Sequence, residues 1–224
     1  MIDDYLPEIT SLQLSPQQSA KIGALMEAYR DLEIKRMEDL LGCQYKIHVP
    51  VGTTNIVGYA DRAYPDFIVE TKCSSNPAFY TQKENLTYQL GTYFMANEAW
   101  ESAIVEITRL PGQKTGEGKY IDEVPEEYQK RIYSEILSRP AYYFIGWDRK
   151  SRTYGVRFWR TEFDLDEVFS TYVHVLREIE EALKRGSWWK NNLACHVPTP
   201  CPFLPIKRTG VVSEEIYRRK EVNK

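Results

Sequence analysis

The chain has 224 residues, of which 42% are hydrophobic, 13% aromatic and 27% charged, a globular mixture rather than a fibrous or disordered one. Lys and Arg number 29 against 32 Asp and Glu, a net charge of −3, so bulk charge gives no case for a nucleic-acid partner, although a local basic groove is compatible with it. A chain of this length buries roughly 70% of its unfolded surface and needs no metal or disulfide staple to fold. No run approaches the ~20 apolar residues of a membrane helix. The acidic start Met1-Ile2-Asp3-Asp4 lacks the pattern of a secretory signal. Four scattered cysteines (Cys43, Cys73, Cys195, Cys201) fit a reduced compartment better than a disulfide framework.

In chain order, Leu14-Ser15-Pro16 reads as a helix start with Ser15 as N-cap, and apolar residues from Ile22 to Leu40 at helical spacing carry the helix on to a stop at Gly42. In residues 45–51, Ile47, Val49 and Val51 alternate with polar positions, which predicts a half-buried strand; Pro50 assigns it to an edge. Strands are predicted at 56–62 and 67–72 around the turn Tyr64-Pro65-Asp66, then a helix over 79–97 and a buried strand over 102–110. A loop at 114–124 precedes a helix at 126–138. Strands at 142–147 and 155–161 form a second predicted hairpin, and a long amphipathic helix covers 165–184. The fold class is α/β, with a mixed β-sheet flanked by helices. Residues 1–186 are expected to form one domain, with 187–224 a Trp-, Cys- and Pro-containing segment and a basic tail.

The chemically informative stretch is 58–72. With Pro65 and Asp66 as the loop of a hairpin, Ala63 opposes Ile68, Arg62 opposes Val69, and Asp61 opposes Glu70 on one face. Lys72 joins that face two residues on. Two opposed carboxylates on strands as apolar as 56–57 and 67–69 repel each other unless a cation compensates them, and Mg²⁺ or Mn²⁺ suits carboxylate oxygens. A lysine beside such a metal stabilises charge developing on phosphate oxygens, so the chemistry indicated is metal-assisted phosphodiester hydrolysis. The alternative at this point is a surface hairpin of solvated ion pairs. Asp66 is a poor third ligand, about 13 Å along the strand from Glu70.

Gly58-x-x-Asp61, Glu70-x-Lys72 and Gln89-Leu-Gly-Thr-Tyr93 together resemble the successive motifs of the PD-(D/E)xK nucleases, in the RecB exonuclease branch that includes phage recombination and CRISPR-adaptation nucleases. The resemblance covers about residues 20–110. It implies a restriction-endonuclease-like fold, Asp61 and Glu70 as metal ligands, Lys72 as the catalytic lysine, and Gln89 with Tyr93 positioning the DNA strand and the water. It also implies an acid from the first helix as a further metal ligand, for which Glu27 in Gly23-x-x-x-Glu27 is the candidate, with Glu33 and Glu38 competing. Some relatives carry a [4Fe–4S] cluster. Here Cys195-x₅-Cys201-Pro202 resembles part of that motif, but residue 192 is Asn and no cysteine follows 201, so no cluster is expected.

Around the second predicted hairpin, Arg149, Lys150, Arg152, Arg157 and Arg160 interleave with Tyr154 and Trp159, a mixture suited to backbone contact and base stacking on DNA. There is no Gly-rich phosphate loop, so no nucleotide hydrolysis is expected. The sequence therefore leads to a Mg²⁺- or Mn²⁺-dependent DNA exonuclease acting on single- or double-stranded ends in recombination, repair or phage DNA processing. Its expected place is the cytoplasm of a bacterium or a phage-infected host, as a possible homo-oligomer or with a recombination partner protein, and with no membrane contact. The alternatives are a non-cleaving DNA-binding member of the same fold and an unrelated interaction protein.

Overall fold

The computed structural model describes residues 14–35, 38–116 and 118–186. The expected segment 187–224, with Trp188, Trp189, Cys195, His196 and Cys201, lies outside these. The chain forms two compact units, Met1–Val173 and His174–Lys224. The first holds the sheet; of the second, the described part is the helical stretch leading to Gly186. Among the described residues, no helix is long and apolar enough to cross a membrane.

The protein is α/β, a five-stranded mixed open sheet flanked by helices, with strand order β1-β2-β3-β4-β5. Helix α1 (Pro16–Asp31) opens as expected: Ser15 Oγ accepts the Gln18 amide at 3.2 Å, and the Gln18 side chain accepts the Ser15 amide at 2.9 Å. It ends eleven residues before Gly42 rather than running to it. Glu33 takes a left-handed conformation (φ 48°) and Ile34 turns inward to be buried, so Ile34 and Leu40 of the periodic run are not helical, while Met37 lies outside the described residues. Strand β1 (Gly42–Val51) buries Ile47, Val49 and Val51 and exposes His48 and Pro50; it is an edge strand, where the missing Pro50 amide costs no ladder bond. A tight turn at Gly52 (φ 60°) leads into β2 (Thr54–Ala63), which pairs antiparallel with β1.

The β2–β3 turn has the expected register, with Ala63 opposite Ile68 and Arg62 opposite Val69 in β3 (Phe67–Ser74). It is pinned from outside: Trp100 is fully buried and donates Nε1–H to the Tyr64 carbonyl at 2.9 Å, and Tyr64 stacks on Phe67 with ring centres 4.3 Å apart. Strand β4 (Ser102–Arg109) runs parallel to β3 and is the most buried of the five.

The helix expected over 79–97 is shorter. Pro77–Thr81 and Lys83–Asn85 are 3₁₀ turns, and α2 (Thr87–Ala96) begins only after them. Helix α3 (Pro125–Ser138) follows expectation. The second predicted hairpin is corrected. Pro140 stands in the first turn of a one-turn helix, α4 (Pro140–Tyr143), where its fixed φ and missing amide favour a helical start over a strand. Strand β5 (Val156–Trp159) pairs antiparallel with β4 instead, and of 142–147 only Phe144 bridges, to Thr108. Helix α5 (Leu165–Arg185) matches the expected long helix.

Apolar residues of α2, with Trp100, Phe158 and Phe163, cover the sheet face carrying Ala60, Ile68, Val105 and Ile107. Helices α1 and α3 pack together over a second core with Phe144 and Tyr154. Residues Ile22, Leu25, Met26 and Tyr29 of α1 line a cavity of ~310 Å³ with Cys73 and Thr108, which alternation sets on the opposite face from Glu70, Lys72 and Ile107. The two helical layers thus lie on opposite sides of the sheet.

Candidate active site

Glu70, in the middle of β3, is 4% exposed, a depth at which a carboxylate needs partners. It has three. Lys72 Nζ donates to Oε1 at 2.6 Å, Gln89 Nε2 donates to Oε1 at 2.7 Å, and the Tyr93 hydroxyl lies 3.0 Å from Oε2. Gln89 and Tyr93 are one turn apart on the sheet-facing side of α2, and Gln89 Nε2 also donates to the Tyr93 oxygen at 2.9 Å. The Tyr93 hydroxyl is equally close (2.9 Å) to the Tyr59 carbonyl, so its single proton serves two acceptors. Burial, reinforced by the charges of Glu70 and Asp61, pushes the Tyr93 hydroxyl well above its ordinary range and keeps it protonated. Lys72 is partly exposed, with the Tyr80 ring 5.8 Å from its ammonium.

Asp61 reaches the same place by a break in the ladder. Tyr64 donates its amide to Phe67, and mutual bonds recur at alternate pairs, so the next ones fall at 62/69 and then 60/71. Pairing stops at 62/69. The Thr71 amide, which a continued ladder would give to Ala60, is given to Asp61 Oδ2 at 2.8 Å. Opposite Asp61, Gln44 adopts a left-handed conformation (φ 48°) and donates Nε2 to Oδ1 at 2.9 Å. Ala60 and Ala63 both join the core under α2, although strict alternation would send them to opposite faces. The strand therefore changes phase at Asp61, where β2 and β3 splay apart, and its carboxylate lies close enough to Tyr93 to bear on the hydroxyl there.

The donor set suits a hard divalent cation: two carboxylates from adjacent strands, each held by hydrogen bonds rather than locked to a guanidinium. Among the described residues, no three His, Cys, Asp or Glu side chains converge to hold a metal. A cation held by Asp61 and Glu70 would keep several of its waters, as Mg²⁺ does.

Other expected site residues are placed elsewhere. Glu27 does not join Asp61 and Glu70. Gln129 Nε2 of α3 donates to Glu27 Oε1 at 2.9 Å, and α1 covers the opposite face of the sheet. Gly23 permits this contact, since a Cβ there would meet the Gln129 side chain at 2.9 Å. Glu33 pairs with Arg152.

The expected DNA-contacting group is dispersed. Tyr154 is 7% exposed, packed edge-on against Tyr29 and Phe144 with its hydroxyl 3.3 Å from Thr108 Oγ1, and cannot stack on a base. Arg149 and Lys150 lie in a turn organised by Asp148, which accepts the Lys150 and Ser151 amides at 3.1 Å each. That turn borders a cavity with Asp31, Leu32 and Glu33 at the end of α1, on the far face from Glu70. Arg157 donates to Ser102 Oγ at 2.6 Å between the Phe67 and Trp159 rings, and Arg160 donates to the Phe94 and Asn97 carbonyls at the end of α2.

Sequence reasoning missed Gln44, whose only local sign would have been the break in β1 alternation ahead of Ile47. No protein-family model, curated protein or solved structure matches the chain.

Proposed function

We propose that the protein is a Mg²⁺- or Mn²⁺-dependent deoxyribonuclease of the PD-(D/E)xK type, and that it degrades DNA from its ends. The carrying observation is the buried Glu70 carboxylate, bonded by Lys72, Gln89 and Tyr93, beside the Asp61 carboxylate at the splay of β2 and β3. Placing two acids and a lysine in a largely apolar sheet is costly for stability alone, and such a cluster is the mark of a chemical site.

Asp61 and Glu70 would hold the cation, which when bound supplies positive charge to phosphate oxygens and lowers the pKa of an attached water. Lys72 sits within hydrogen-bond reach of Glu70, so a phosphate oxygen that draws its ammonium away competes with that carboxylate. Its charge then stabilises the one developing on that oxygen. Gln89 holds Glu70 from the α2 side and fixes the orientation of its carboxylate. Tyr93, kept protonated, is a hydrogen-bond donor to Glu70 and not a general base.

Linear DNA incubated with the protein and Mn²⁺ is expected to be degraded, EDTA is expected to stop it, and Lys72→Ala is expected to lower the rate to the EDTA level. Equal degradation by Lys72→Ala would overturn the mechanism. Metal-independent retention of DNA without turnover would replace it with the non-cleaving alternative.

A further inference from the structure

Strand β4 ends at Arg109, and the parallel register sets Ile107 beside Lys72 and Arg109 beside Ser74. Alternation starts the Arg109 side chain on the face of Ile107, Lys72 and Glu70. At the strand's end it meets Tyr142 and Arg139, the latter from the α3 layer on the other side, at the rim of the sheet. One strand across and two residues along places its Cα roughly 8 Å from that of Lys72. Because β3 and β4 are parallel, both strands leave the sheet at the same edge, and Arg109 stands just beyond the lysine in that direction.

There the Arg109 guanidinium lies 4.3 Å from the centre of the Tyr142 ring. Arg139, at the end of α3, lies 4.3 Å from the same ring centre. Arg109 Nε donates to the Tyr142 carbonyl at 3.1 Å, which fixes the plane of its guanidinium. Its terminal amino groups have no acceptor among the described residues. Arg139 pairs with Glu135 one turn back, a carboxylate that also accepts from Gln113. Two guanidiniums thus share one ring, and of the two only Arg139 has a carboxylate partner among the described residues. The ring is 44% exposed and the Arg139 side chain 51% exposed, so both are open to a ligand. Like charges gathered on one ring are relieved by an oxyanion, and planar guanidiniums backed by an aromatic suit a phosphate diester better than a point charge does.

We infer that Arg109, Arg139 and Tyr142 clamp a backbone phosphate of the nucleic-acid strand, neighbouring the phosphodiester presented to Glu70 and Lys72. The inference rests on the nuclease reading for its ligand, but its test does not depend on cleavage. The intact chain in EDTA is titrated with a fluorescent oligonucleotide, single- and double-stranded, at several salt concentrations, and anisotropy is read.

Arg109→Gln with Arg139→Gln is expected to weaken binding on the order of tenfold and to flatten the slope of log K against log salt by about one to two. Arg109→Lys with Arg139→Lys keeps the charge and is expected to keep the slope. Tyr142→Ala is expected to weaken binding, and Tyr142→Phe to restore it. A purely structural role for the arginines would leave the salt slope unmoved. An unchanged slope in the glutamine variant, or a wild-type chain that does not retain the oligonucleotide, overturns the clamp. If the slope falls as expected and the wild type cleaves nothing with Mn²⁺, the nuclease reading fails while the clamp stands.

Discussion

Two glutamates on neighbouring strands lie at nearly the same depth, Glu70 at 4% and Glu106 at 7% exposure, on opposite faces of the sheet. Glu106 faces Arg62, and their close ion pair sits among Tyr29 and Tyr154. Burial opposes the charge on Arg62, yet the Glu106 carboxylate outweighs it and holds the guanidinium above its ordinary value. Glu70 is held instead by an ammonium on a flexible stem, an amide and a phenol, next to a second carboxylate. The first arrangement closes a charge inside a rigid fork. The second leaves a charge whose partners can be exchanged, as binding and catalysis require. Depth alone does not separate the two acids; the nature of their partners does, and on the nuclease proposal that difference sets a structural acid apart from a chemical one.

The sharpest way to break this contrast is to neutralise each acid in turn. Glu106→Gln leaves the Arg62 guanidinium without its counter-charge and is expected to cost about 3 kcal/mol of unfolding free energy in urea, with DNA degradation per folded molecule unchanged. Glu70→Gln is expected to cost less stability, because Lys72 can turn to water, and to lower DNA degradation on the order of a hundred- to a thousandfold. Reversed outcomes would exchange the two roles.

A smaller effect tests the tyrosines beside the two acids. Burial raises the hydroxyls of both Tyr93 and Tyr154 above their ordinary value of 10.0. The unfolded chain therefore loses these protons first as pH climbs. Stability is intact below about pH 10 and falls above it, by up to about 1.4 kcal/mol per pH unit for each tyrosine. Urea midpoints between pH 8 and 11 are expected to flatten in Tyr93→Phe and in Tyr154→Phe; a fall as steep as in the wild type would count against their burial as protonated donors. The smallest effect concerns neither acid. Ser15→Ala removes the α1 cap and is expected to cost about 1 kcal/mol without touching DNA degradation, and a loss of activity would tie α1 to the site after all.

Part of the site region was legible because the turn at Pro65 and Asp66 fixes the register as far as Arg62 and Val69. The expected pairing of Asp61 with Glu70 does not form, since the ladder stops there and Asp61 accepts the Thr71 amide instead. The edge position of β1 followed from Pro50, and the span of α5 from its periodicity. What escaped was set by tertiary contact. Glu27 has the spacing of a site acid, but which face of the sheet α1 covers depends on α3 and Gln129, a hundred residues away. Tyr154 looks like a stacking residue beside arginines until Tyr29 and Phe144 enclose it. Pro140 ends one helix and opens a single turn of the next, so the apolar run after it resembles a strand and is not one. Arg109, Arg139 and Tyr142 meet only because β4 and α3 end at the same place.

The Thr71 amide has an unusual acceptor, a carboxylate where its ladder neighbours use main-chain carbonyls. That proton is a built-in gauge of electric charge at Asp61. A cation drawing on the oxygen weakens the bond and shifts the ¹⁵N–¹H resonance of one backbone position. Binding of a cation at Asp61 can thus be followed in solution without any substrate present.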